Sequence, residues 1–266
     1  MDKKLLKTVL SIPSCSRNED DVRDFLVAWA EGMGIEHRVD EFGNVFMRKG
    51  EAESYPCVVA HMDTVHRDQI DIVGEGKSLH IVESKNSEGD ILYAQRELPS
   101  GVMASTGIGG DDKAGVFIVL ELLKKFDNIM GAFFVEEEIG CFGSKKAIGD
   151  EWLEQAGYFI QFDAPTDDWI SKVCSGIVLF DDEFEKLLEP VWEQFEMSKP
   201  SISDPFTDIK ELRKNYDVNC INYFAGYMDM HTPFEYVVVD YVQKAIDLAD
   251  ATIRTLGTDK YLFNKG

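Results

Sequence analysis

Positive charge is what this 266-residue chain lacks most: 27 Lys and Arg stand against 49 Asp and Glu, for a formal charge of −22. A nucleic-acid groove or a docking face for anionic lipid needs positive potential, so the composition argues against both. Long apolar runs are missing too, which removes a membrane-spanning segment. The first ten residues are interrupted by Lys7 and are too short and polar for a secretory signal; Leu5, Leu6, Val9 and Leu10 instead predict an amphipathic helix stopped before Pro13. Five cysteines (Cys15, Cys57, Cys141, Cys174 and Cys220) are odd in number, scattered and never in a CxxC pair. That excludes a disulfide framework and a thiolate zinc site, and suits a reducing cytoplasm. With 8 Pro and 21 Gly there is no low-complexity linker, and no internal repeat is visible.

What is present is a globular composition, 44% apolar, long enough for a large core, and one domain over residues 1–266 is the economical reading. Ser16-Arg-Asn-Glu19 resembles a capping box ahead of Val22, Phe25, Leu26 and Trp29, so a second helix is expected, ending at Gly32 or Gly34. Residues 35–48 alternate around Asp40-Glu-Phe-Gly-Asn44 as a β-hairpin would. Pro56–Ala60, Ile129–Val135 and Tyr158–Phe162 are apolar runs of buried-strand type, and Val218–Phe224 is strand-like. Residues 66–106 read as edge strands and loops. Helices are expected over Lys113–Phe126, over Phe184–Phe195 with a kink or break at Pro190, and over Phe234–Leu256. Apolar strands separated by helices imply a three-layer α/β/α sandwich with a mixed, mostly parallel central sheet.

Three of the apolar strands run directly into His61/Asp63, Glu137/Glu138 and Asp163. One such ending is just a chain reaching water; three, joined by Asp111-Asp112 at the start of a buried helix and by His231 before the last helix, converge where open α/β sheets bind ligands. His61, Asp111, Glu138, Asp163 and His231 are nitrogen and oxygen ligands of the kind zinc accepts. Two Zn²⁺ would fit them, with Asp111 as a bridge and a position left for a shared water or hydroxide; Co²⁺ and Mn²⁺ tolerate the same ligands. Asp63, two residues from His61, suits the acceptor of the imidazole N–H, and Glu137 suits a general base beside its liganding neighbour.

With those residues in view, the chain resembles the co-catalytic di-zinc exopeptidase superfamily, which includes peptidase T, compact zinc aminopeptidases and a carboxypeptidase and acyl-amino-acid deacylase branch. The resemblance is carried by His61-Met-Asp-Thr-Val65, Gly110-Asp-Asp-Lys-Ala-Gly115, Glu137-Glu-Ile-Gly-Cys-Phe-Gly-Ser144, Phe162-Asp163 and His231-Thr-Pro-Phe-Glu235. It implies Asp111 as the bridging ligand, His61 and Asp163 at one metal, Glu138 and His231 at the other, Glu137 as catalytic base and Asp63 as the acid orienting His61. Asp112 and Lys113 belong to the motif without a ligand role. The implied activity is hydrolysis of N-terminal residues from short peptides by a metal-bridging hydroxide.

The chain departs from lid-bearing relatives of that superfamily. Neither the interval from His61 to Asp111 nor that from Asp163 to His231 has room for an inserted lid or dimerisation domain of about a hundred residues. The second interval contains no His, and its basic residues (Lys172, Lys186, Lys199, Lys210, Arg213, Lys214) form no visible constellation. Carboxypeptidase and N-acyl-amino-acid deacylase activity, the competing readings on this fold, thereby lose their usual anchor. A non-catalytic metal-stabilised protein is the reading from another class, and it leaves Glu137 without a use. Gly107-Ile-Gly-Gly-Asp-Asp-Lys113 lacks the ending of a phosphate loop, and no GxSxG elbow exists. Tyr223 and Tyr227 are candidate oxyanion donors, against a simpler packing role. Oligomeric state and peptide preference are not legible.

Overall fold

The computed structural model describes residues 1–71, 76–98, 100–202 and 206–264; within residues 66–106, positions 72–75 and 99 lie outside them. In chain order the elements are α1 (Lys3–Ser11), α2 (Asp20–Met33), β1 (Glu36–Val39), β2 (Val45–Lys49), β3 (Tyr55–His61), β4 (His80–Asn86), β5 (Gly89–Glu97) and β6 (Met103–Thr106). Next come α3 (Gly110–Lys125), β7 (Ile129–Phe134), α4 (Phe142–Lys146), β8 (Ala156–Phe162), β9 (Ile170–Ser171), and the short pair β10 (Val173–Cys174) and β11 (Ile177–Val178). The chain closes with α5 (Asp182–Gln194), α6 (Ile209–Asn215), β12 (Cys220–Tyr223), β13 (Tyr227–Met228), β14 (Tyr236–Val238) and α7 (Val239–Leu256).

The central sheet runs β1-β2-β7-β3-β8-β12-β9. Its middle strands β7, β3, β8 and β12 are mutually parallel, and antiparallel strands close both edges. Every residue of β3, β7, β8 and β12 is buried, which is why those runs read as continuously apolar instead of alternating. α3 packs on β3, β7 and β8, with α1 and α7 against it and α5 against α7. α2 covers β1 and β2, and α6 covers β8 and β12. Gly131 on β7 is the close-packing point: a Cβ there would meet Val119 of α3 at 2.9 Å.

Four local expectations are corrected. The strands within 66–106 form the body of a second, antiparallel sheet, β13-β14-β5-β4 with β6 on β5. Residues 234–256 are not all helix: Tyr236–Val238 is strand β14, paired with both β13 and β5, and the helix starts at Val239. A run of Val carries strand propensity, and a paired neighbour on each side realises it. Helix α5 continues unbroken through Pro190, which lies with Lys186, the residue whose carbonyl it deprives of a partner, on the exposed side of the helix. Glu19 makes no side-chain cap to α2; it accepts the backbone N–H of Arg17 and of Glu136 instead.

Candidate metal centre

β3 delivers His61 and, just beyond, Asp63; the turn after β7 delivers Glu137 and Glu138; Asp163 follows β8. Because β7, β3 and β8 are parallel neighbours, these groups emerge on one edge of the sheet. Asp111 comes from the start of α3, where Asp111 and Asp112 depart from helical geometry, so regular helix begins at Lys113. The Asp111–Asp112 peptide is cis. His231 arrives from the loop joining β13 to β14, and so from the second sheet.

Two trios of ligand-type atoms result, His61/Asp111/Asp163 and Asp111/Glu138/His231, and they share Asp111. His61 Nε2 lies 3.2 Å from Asp111 Oδ1 and 3.7 Å from Asp163 Oδ1. His231 Nε2 lies 3.1 Å from Asp111 Oδ2 and 3.3 Å from Glu138 Oε2. The two oxygens of Asp111 thus face different imidazoles. Glu137 Oε2 stands 4.0 Å from His61 Nε2.

Asp63 does more than the sequence suggests. The His61 Nδ1 bond, at 3.0 Å, goes to the main-chain oxygen of Asp63, whose carboxylate is 3.5 Å away. That carboxylate accepts the N–H of Glu137 at 2.9 Å, the N–H of Glu138 at 3.2 Å and the Ser16 hydroxyl at 2.7 Å. It therefore fixes the two glutamates relative to His61. Asp112 Oδ2 accepts the His61 N–H, and Oδ1 accepts that of Gly115, where any Cβ would overlap the carboxylate. Buried Lys113 donates to the carbonyls of Leu10 and Ile12 at the end of α1, and burial lowers its pKa to about 7.

Electrostatically the cluster is short of cations. Burial pushes the carboxyl groups of Glu137, Glu138 and Asp163 up, with neighbouring acids adding to it. Burial acts on Asp111 in the same sense, yet the two imidazoles outweigh it and hold Asp111 below the usual carboxylate range. Hydrogen bonds to Asp111 and Glu138 raise His231 to about 10. Among the described residues, Glu138 Oε1 is buried with no hydrogen-bond partner. A buried carboxylate oxygen without a partner, on a residue grouped with Asp111 and His231, belongs to a donor set that a divalent cation satisfies.

A cleft of about 490 Å³ opens over the trios. Its polar lining is Asp111, Glu137, Glu138, Asp163 and His231 with Tyr227, while Trp169, Phe206 and Met230 form an apolar wall. The Tyr227 hydroxyl donates to Asp163 Oδ1 at 3.2 Å. Tyr223 is not at the site: its hydroxyl accepts from Trp192 Nε1 at 2.8 Å inside the core. Sequence reasoning gave no separate role to Glu235 or His66, although both lie in or beside the quoted motifs; only their partners in space reveal one.

The chain belongs to peptidase family M28, whose model matches residues 44–234. It is 31% identical over 106 residues to the LysW-lysine hydrolase of Deinococcus radiodurans, a match covering 39% of this chain and 29% of that protein. It is 27% identical over 200 residues to the cytosol non-specific dipeptidase of Escherichia coli, covering 72% of this chain and 39% of that protein. The chain thus spans well under half the length of these curated relatives. Among solved structures it superposes on the aminopeptidase PepT of Bacillus cereus with a TM-score of 0.68 at 14% identity, over 96% of this chain and 97% of that one. At that identity the likeness is one of fold, and it agrees with the α/β sandwich. Among the described residues no helix is long and apolar enough to cross a membrane.

Proposed function

We propose that the protein is a metal-dependent aminopeptidase acting on short peptides. The observation that carries this reading is the pair of trios sharing Asp111 at the floor of an acid-lined cleft, with the unshared Glu137 carboxyl beside them. His61, Asp111 and Asp163 would hold one divalent cation, and Asp111, Glu138 and His231 a second; zinc suits the donors, and cobalt or manganese are tolerated. When bound, the cations supply Lewis acidity to the scissile carbonyl and to the attacking water.

The chain's own residues account for the rest. Glu137 takes a proton from the attacking water and passes it to the leaving amine; burial has raised its proton affinity, which suits a group that must hold a proton in mid-reaction. Asp63 holds the Glu137–Glu138 backbone and His61 in register. No Lys or Arg lines the cleft among the described residues, so it offers no cationic side chain to a peptide's carboxylate end. The apolar wall of Trp169, Phe206 and Met230 suits an apolar substrate side chain. We read the chain as one catalytic unit without an inserted lid, since α3 and α7 pack against both sheets or their helices. Five buried cysteines, none in a CxxC pair, fit a reducing cytoplasm.

The test pairs metal analysis of protein purified without chelator with hydrolysis of free and N-acetylated Leu-Gly-Gly. Near two equivalents of metal with cleavage of the free peptide alone is the expected result. Cleavage of the acetylated peptide alone would transfer the function to deacylation. Metal without hydrolysis of any peptide would leave a binding protein.

A further inference from the structure

The loop entering α3 is crowded, and its glycines are there for space. A Cβ at Gly107 would fall 1.8 Å from the His66 ring, and one at Gly110 would lie 2.7 Å from Val237 and 3.3 Å from Glu235 Oε1. What they admit is the His66 ring and a carboxylate. Glu235, wholly buried, accepts the Asp111 N–H on Oε1 and the Gly109 N–H on Oε2, each at 2.9 Å. His66 Nε2 lies 2.7 Å from the same Oε2. A glycine-rich turn before a helix commonly turns its N–H groups to a phosphate; here they are occupied by an internal anion.

Glu235 shares its loop with His231. That loop has left-handed residues at Asp229 and His231, its His231 side chain is 48% exposed, and Thr232 supplies its local bonds to the Asp229 carbonyl and the Phe234 N–H. Glu235 bonds the backbone of Asp111 itself, so it joins the second sheet to the first residue of the site. His61 and Asp163 stand at the ends of paired strands and are held there by other groups, the Asp112 carboxylate on the His61 N–H and the Asn222 side chain on the Asp163 N–H.

We propose that Glu235, held by His66, is a positioning residue that sets His231 against Asp111, so that the cation position of Asp111, Glu138 and His231, which needs both residues that Glu235 joins, depends on it more than the position of His61, Asp111 and Asp163, which needs Asp111 alone. This rests on the metal reading above. A buried carboxylate with three donors is well satisfied as it stands; replacing one oxygen by an amide NH₂ sets donor against donor while leaving the side chain's size unchanged.

The experiment is calorimetric titration of the metal-stripped protein with Zn²⁺, for wild type, Glu235→Gln and His66→Phe, with circular dichroism of each metal-free protein. Wild type should bind two equivalents. Glu235→Gln should weaken one event by about 10- to 100-fold and the other much less, with His66→Phe acting on the same event more weakly. Two unaltered events in a folded Glu235→Gln protein would overturn the proposal, and so would equal weakening of both, which is general loosening. If Glu235→Gln does not fold, two unaltered events in His66→Phe overturn it equally. A wild type that binds no zinc would sink the metal reading itself, a distinguishable result.

Discussion

The side chain of His61 is 1% exposed and that of His231 is 48% exposed, although both imidazoles reach the same Asp111 carboxylate. Two members of the first trio extend the central sheet: β3 and β8 are hydrogen-bonded neighbours, so the ladder between them sets the distance from His61 to Asp163. The second trio spans two sheets, with Glu138 following β7 and His231 lying between β13 and β14. The His61–Asp163 pair is fixed mainly by strand pairing. The second trio is fixed by side-chain tethers, those of Asp63 to the Glu137–Glu138 backbone and of Glu235 to the loop before α3. Strand pairing is a cooperative constraint, whereas a tether is a few hydrogen bonds that one substitution removes.

The largest effect should come from the residue the halves share. Asp111→Ala is expected to abolish binding at both positions and to lower turnover by several orders of magnitude, read by elemental analysis and peptide hydrolysis; full metal occupancy in that variant would remove the bridge. Next is Glu137→Gln, which belongs to neither trio. It should lower kcat by about 10²- to 10⁴-fold with two metals retained, and unchanged kcat would remove Glu137 from the chemistry.

The two histidines sharpen the contrast. His231→Ala should halve metal content while leaving the melting temperature of the metal-free protein nearly unchanged, because the residue is half exposed on a loop. His61→Ala should lower that melting temperature as well, since it opens a cavity among buried carboxyl groups that lose their imidazole partner. Equal thermal effects would break the distinction.

The smallest effect is a pH dependence behind the first trio. Asp208 is wholly buried, takes one hydrogen bond from Ser144, and has no partner at Oδ2 among the described residues. Burial raises its pKa from 3.8 to about 7. A carboxyl raised on folding contributes stability that is present below its unfolded pKa and is lost as pH rises through the folded value. Metal-free protein should therefore lose on the order of 4 kcal/mol between pH 4 and pH 8 from this group, and Asp208→Asn should flatten that part of the profile in urea unfolding. An unchanged profile would locate the dependence elsewhere.

Much of this was legible beforehand because burial leaves a pattern. Strands covered on both faces must be apolar throughout, so β3, β7 and β8 stood out, and the charged residues ending them could be named as one cluster before any coordinates. Helix α7 was legible from its spacing only from Val239 onward, since the valines before it fit either period until β5 and β13 claim them. Tyr223 and Tyr227 looked equivalent; one points into the core at Trp192 and the other into the cleft at Asp163.

The sequence by itself determined which residue types meet at the edge of the sheet, because hydrophobic periodicity dictates the strands and the strands dictate where their ends lie. Only the tertiary structure decided how those residues are held. Asp63 grips the Glu137–Glu138 backbone, Glu235 fills a glycine turn beside His66, and a second sheet carries His231 to Asp111. Such contacts join residues far apart in the chain through single hydrogen bonds, which have no period, and a linear pattern records only what repeats.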